Sequence, residues 1–140
     1  MVPPITVYDQ ANLLGWIELE SSYVELYAQF MIATPKPMAD IGWGDILEAK
    51  EKVFSLYANP FGFIWNRVNE CSVHPTIYLR LKTTVPLLHV MAVVVHSYWG
   101  WSIIHYESQI ARDFEYEGHG SLTSAVHAVH RSLEVVRSAG

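Results

Sequence analysis

The sequence predicts an α+β domain in which an antiparallel sheet of about three to five strands is covered by helices, and three observations carry that expectation. From Thr83 to Tyr106 the chain contains no Asp, Glu, Lys or Arg. Ahead of this run, "TIYLRLKTT", Thr76 to Thr84, alternates Ile77, Leu79 and Leu81 with Tyr78, Arg80 and Lys82, the period of a strand with one wet face. After it, Leu122, Ala125, Val126, Val129, Leu133 and Val136 recur at helical spacing, a stripe suited to covering a sheet.

The 140 residues suit one compact domain spanning 1–140, and no repeat, low-complexity tract or linker divides them. In "DQANLLGWIELESSYVELYAQFMIA", Asp9 is placed to cap, and Leu13, Ile17, Val24, Tyr27 and Met31 share a helical face. Residues 10–33 are therefore expected to be helical. The alternative is a hairpin, because Glu20 interrupts that face and Ile17 and Leu19 alternate with Glu18 and Glu20 ahead of Ser21-Ser22. "TPKPMADIGWGD", Thr34 to Asp45, holds two prolines and two glycines and reads as a loop. The next segment, "DILEAKEKVFSLYANP", is a helix with Asp45 and Glu48 at capping-box spacing, Glu48 and Lys52 as an i,i+4 pair, and Asn59-Pro60 as its stop.

The uncharged run is long enough for a membrane span of roughly 20 residues. Its composition favours sheet instead. His89 and His96 would lie in hydrocarbon, Tyr98, Trp99 and Trp101 sit away from where interfacial aromatics collect, and Val90, Val93, Val94 and Val95 are β-branched. A strand buried on both faces reads as such a run. The expected order is a strand near 76–84, a long one near 87–98, a turn at Trp99-Gly100-Trp101, returns near 101–106 and 109–116, and a last helix capped by Ser121. Connections this short imply sequential antiparallel pairing.

The formal net charge is −5. Up to Asp45 the acids are Asp9, Glu18, Glu20, Glu25, Asp40 and Asp45 against Lys36 alone, so the N-terminal third carries the excess. A basic footprint is missing, which argues against direct nucleic-acid binding. An acidic face including Glu18, Glu20 and Glu25 suits a partner with a basic site. Cys71 is the single cysteine, which excludes an internal disulfide and fits a reducing, cytoplasmic compartment. "MVPPITVYDQ" does not read as a secretory signal.

Seven histidines invite a metal or acid/base site. His119, His127 and His130 are the nearest to ligand spacing, but neither HExxH nor CxxC accompanies them, so no metal or other cofactor is expected. His89, His96 and His105, with aromatic neighbours, form an alternative pocket for a ligand-binding or acid/base enzyme domain. His89 and His96 fall on opposite faces of one strand unless a bulge intervenes. "GHGS" before the last helix has the makings of an anion-binding turn, and more simply of a turn with a cap. The aromatic set Tyr98, Trp99, Trp101 and Trp43 consists of residue types that dominate protein interfaces. Low charge and abundant aromatics point to surface contact sites, for a homo-oligomer or another chain. The resulting expectation is a small acidic protein without catalytic activity. It would bind a larger protein through an aromatic patch and an acidic face, in the manner of an inhibitor, immunity or anti-defence protein, or adaptor.

Overall fold

Residues 10–33 resolve the choice in favour of strands. In a computed structural model describing residues 4–139, with the side chains of 137–139 outside the description, β1 (Gly15–Glu18), β2 (Ser22–Leu26) and β3 (Phe30–Pro35) pair in an antiparallel meander. The Leu19 N–H donates to the Ser22 carbonyl at 2.8 Å around Glu20-Ser21, and the Tyr27 N–H to Phe30 at 3.0 Å around Ala28-Gln29. The expected helical face is therefore split. Val24 and Met31 enter one core and Tyr27 the other, as a period of two requires.

The chain then alternates. Strand β4 (Ala39–Ile41) leads to helix α1 (Trp43–Lys52), a 3-10 turn (Phe54–Leu56), β5 (Phe61–Arg67) and β6 (Cys71–Val73). Helix α2 (Ile77–Thr84), β7 (Leu88–Val95), α3 (Tyr98–Ser108), β8 (Glu115–His119) and α4 (Leu122–Ala139) follow. The main sheet has six strands in the order β1-β2-β3-β5-β7-β8, and β3, β5, β7 and β8 are parallel. β4 and β6 form a separate parallel pair beyond the carboxyl ends of β3 and β5. The α+β composition stands, but the expected antiparallel sheet is corrected to a mixed, largely parallel one.

Two misread segments account for that. Residues 76–84 form α2, not a strand, with Ile77, Tyr78 and Leu81 buried while Leu79 is exposed. The alternation of Ile77, Leu79 and Leu81 was incidental to the face that packs. Residues 101–106 lie inside α3, which Ser97 caps by accepting from the Gly100 N–H at 3.2 Å. The expected return strand at 109–116 begins only at Glu115. With helices in both connections, parallel crossovers become possible. The α1 cap also moves: Gly42 is the N-cap, and Asp45 stands at the third helical position, accepting from the Gly42 N–H at 2.8 Å.

The sheet is covered on both faces. Ile46 and Ala49 of α1, Ile77, Tyr78 and Leu81 of α2 and Ile104 of α3 join Met31, Ala33, Phe63, Trp65, Met91, Val93 and Val95 in one core. Ala125, Val126, Val129 and Leu133 of α4 close the other over Ile32, Ile64, Val90, Ala92 and Val94. Full burial of an aliphatic side chain of this size stabilises by about 1.5–3 kcal/mol, so the α4 stripe is a main contributor. Its seat is Gly62, where an added Cβ would lie 2.4 Å from Val129.

Candidate functional site

The uncharged run divides into β7, buried along almost its whole length, and α3. No helix among the described residues is long and apolar enough to cross a membrane.

Helix α3 is oriented in an unusual way for its composition. Of its side chains only Ile104 and Glu107 are buried. Tyr98, Trp99, Trp101, Ile103 and Tyr106 are exposed, Trp99 by 75% and Tyr98 by 80%. Trp99, Ile103 and Tyr106 stand four and three residues apart, one stripe on the solvent side. Trp101 lies partly over β8, where a Cβ on Gly118 would meet its ring at 2.8 Å and Ile104 at 3.0 Å. An unbranched backbone at Gly118 thus lets α3 approach the edge strand.

The inward side of α3 is held by an ionic cluster. Glu107 Oε1 accepts from Arg67 Nη2 at 2.6 Å, from the Tyr78 hydroxyl at 2.9 Å and from the Tyr116 hydroxyl at 2.5 Å. Arg67 Nη2 also donates to the Tyr78 oxygen at 3.2 Å, while its buried Nε has no partner among the described residues. Burial would lower the Arg67 pKa, but the surrounding Tyr78, Glu107 and Tyr116 together raise it. Burial, with Glu107 and each other as neighbours, pushes both tyrosines well up. A charged guanidinium and two neutral phenols therefore tie the carboxylate of α3 to β5, α2 and β8. Sequence reasoning missed this cluster, because its members are separated along the chain by helices taken for strands.

The other predicted residues distribute widely. Trp43 opens α1, not α3, and the Arg80 guanidinium of α2 lies 4.0 Å over its ring. Glu18 pairs with Lys36 at 2.8 Å, and Glu20, at the β1–β2 turn, takes the Glu48 carboxylate onto its backbone N–H at 3.1 Å. Glu25 is not on an acidic surface. It is 2% exposed and accepts from the Tyr8 N–H at 2.9 Å and the Tyr27 hydroxyl at 2.8 Å. Burial raises its pKa, partly opposed by those two hydrogen bonds. With β1 at the far edge of the sheet from β7 and β8, over which α3 lies, Glu18 and Glu20 are four to five strand spacings from α3, roughly 19–24 Å. The aromatic and acidic regions are two surfaces.

The alternative histidine pocket does not assemble. His89 is the extra residue of a bulge, since Phe61 pairs with Leu88 and Gly62 with Val90. Even so, His96 is seven residues further along, roughly 23 Å in extended chain. It is exposed and bonded to Asn66 at 3.1 Å, and His105 on α3 is exposed beside Gln109 at 3.2 Å. Among the described residues no three His, Cys, Asp or Glu side chains gather as metal ligands. A cavity of about 920 Å³ lies at the opposite end of the strands from the start of α3, lined by Leu14, Tyr27, Leu56, Tyr57, Pro60 and Leu133 among others. Burial pushes the pKa of the Tyr57 hydroxyl up to about 12, and its one proton is shared between the Tyr27 and Phe30 carbonyls, at 2.7 and 2.8 Å. Cys71 is partly buried, with its thiol pushed up by burial. Compared with protein-family models, curated proteins and solved structures, the chain matches none.

Proposed function

We propose that this protein is a binding protein of the inhibitor or adaptor kind, whose principal contact is the outer face of α3. One observation carries the reading: α3 turns its carboxylate inward and its aromatic side chains outward, the reverse of what a surface helix needs for its own stability. A protein gains nothing in folding from water-exposed indoles. Burial against a partner does repay them, since Trp and Tyr anchors carry most of the energy at protein interfaces. The stripe of Trp99, Ile103 and Tyr106 has the spacing of a helix laid into an apolar groove.

The partner is a protein with an uncharged cleft, because residues 83–106 bring no charge to the contact. Glu18 and Glu20 join only if the partner reaches across the sheet, which is the form that a larger partner with a basic site would take.

A photo-crosslinking residue at Ile103 tests this in the native host, with Val135 on α4, 69% exposed, as the control position. The expected result is one dominant adduct from Ile103, lost when Trp99→Ala and Tyr106→Ala are added while the thermal melt is unchanged. Identical adducts from both positions, or an adduct that survives the double substitution, would remove the basis of the proposal. An adduct of twice the chain mass identifies a second copy as the partner.

A further inference from the structure

The Gly118-His119-Gly120-Ser121 turn assembles a second group of side chains, on the α4 side of β8, the face opposite the one that Trp101 of α3 covers at Gly118. His119 ends β8 and lies against the first turn of α4, its side chain 13% exposed. Its Nδ1 is 2.7 Å from Ser124 Oγ, and its Nε2 is 2.8 Å from Glu117 Oε1. Ser124 is exposed. We propose that Ser124, His119 and Glu117 act as nucleophile, general base and orienting carboxylate in the hydrolysis of small esters that carry an anionic group.

The arrangement meets the requirement for an activated serine: a base within hydrogen-bond reach, itself fixed by a third group. With Nε2–H donating to Glu117, the free lone pair is on Nδ1, where the Ser124 hydroxyl donates. Two independent features hold the ends of the group in place. The Ser121 hydroxyl accepts from the Ser124 backbone N–H at 3.1 Å, and Glu117 sits in a strand whose pairing with β7 fixes its place. Ser124 also lines a groove of about 590 Å³ with Ser121, Thr123, His127, His130 and Arg131. The guanidinium and the imidazoles favour a substrate with a carboxylate or phosphate. With the Ser124 N–H held by Ser121, the Leu122 and Thr123 N–H groups that open α4 are the ones without an intrahelical partner, and they supply donors for a developing oxyanion.

In acylation, Ser124 Oγ forms a bond to the ester carbonyl carbon as its proton passes to His119 Nδ1. Collapse of the adduct breaks the bond to the leaving oxygen, which departs as an alcohol with that proton. Water then attacks the acyl-serine, losing a proton to Nδ1; the proton returns to Ser124 Oγ as the carboxylic acid leaves. No oxidant or other co-reactant is needed.

The test uses the full chain with 4-nitrophenyl hemisuccinate, 4-nitrophenyl acetate and a fluorophosphonate probe. The expected result is one probe adduct per chain, mapped to Ser124 by peptide mass. Hydrolysis should fall at least about 100-fold in Ser124→Ala and in His119→Gln, and about tenfold in Glu117→Gln. The anionic ester should be preferred, and Arg131→Gln should raise its KM with kcat unchanged. If Ser124→Ala hydrolyses as fast as the parent, the exposed histidines act alone and the proposal fails. A probe adduct elsewhere, or none, overturns it without reliance on any variant's folding.

Discussion

Glu107 shows what a single side chain does here. Its carboxylate is 3% exposed and carries the Arg67 guanidinium and two tyrosine hydroxyls on one oxygen. Breaking one partner of a buried ion pair costs about 3–5 kcal/mol, because the other charge is left uncompensated. Glu107→Gln is expected to lower the urea-unfolding free energy by that amount, whereas Lys36→Ala, which removes the exposed pair with Glu18, should change it by less than about 1 kcal/mol. Glu25 behaves differently. Folding raises its pKa above the ordinary 4.5, so the folded state favours the protonated form. That contribution is complete below the ordinary value and is lost as pH rises through the raised one. Glu25→Gln should therefore gain stability relative to the parent between about pH 4 and about pH 7, as read from urea titrations at the two values. Burial of Cys71 likewise predicts alkylation at least about tenfold slower than a free thiol at neutral pH. The inertness of Cys71 is what a lone cysteine in so apolar a chain leads one to expect, but the roles of Glu107 and Glu25 were not legible beforehand. Glu25 looked like one of several surface acids, and only pairing β2 with its neighbours turns it inward.

At the level of elements, the glycine under α4 makes the sharpest prediction. An alanine at Gly62 drives a methyl into Val129, and overpacking of this kind costs about 1–3 kcal/mol. Gly62→Ala with Val129→Ala should be less destabilised than the sum of the single changes, by a coupling of about 0.5–3 kcal/mol in a double-mutant cycle. Elements that pack by an apolar stripe were readable. α4 kept its predicted face, α1 kept its helix but ends at Lys52 and gives way to the 3-10 turn before Asn59-Pro60, and β7 kept its alternation on either side of the bulge. α2 and α3 were not readable, because α2 is short with Leu79 facing water and α3 is anchored by a carboxylate. A helix that presents indoles outward has no amphipathic signature. The residues proposed for the contact surface were thus picked out by type, but their helical setting was not.

Across the whole molecule the two covers are unequal. One face of the sheet is closed by three helices from three crossovers, the other by α4. Ending the chain at Gly120 would open Ile32, Ile64, Val90, Ala92 and Val94 to water, and the shortened chain is expected to bind a hydrophobic dye and to lose cooperative melting. Addition of α4 as a separate peptide should restore a sharp transition. The topology has a consequence for how such a chain is made. A ribosome delivers β1 through β8 before α4, so the apolar face that α4 covers is synthesised ahead of its cover. Until that cover docks, the bare face is the surface through which nascent chains are expected to aggregate.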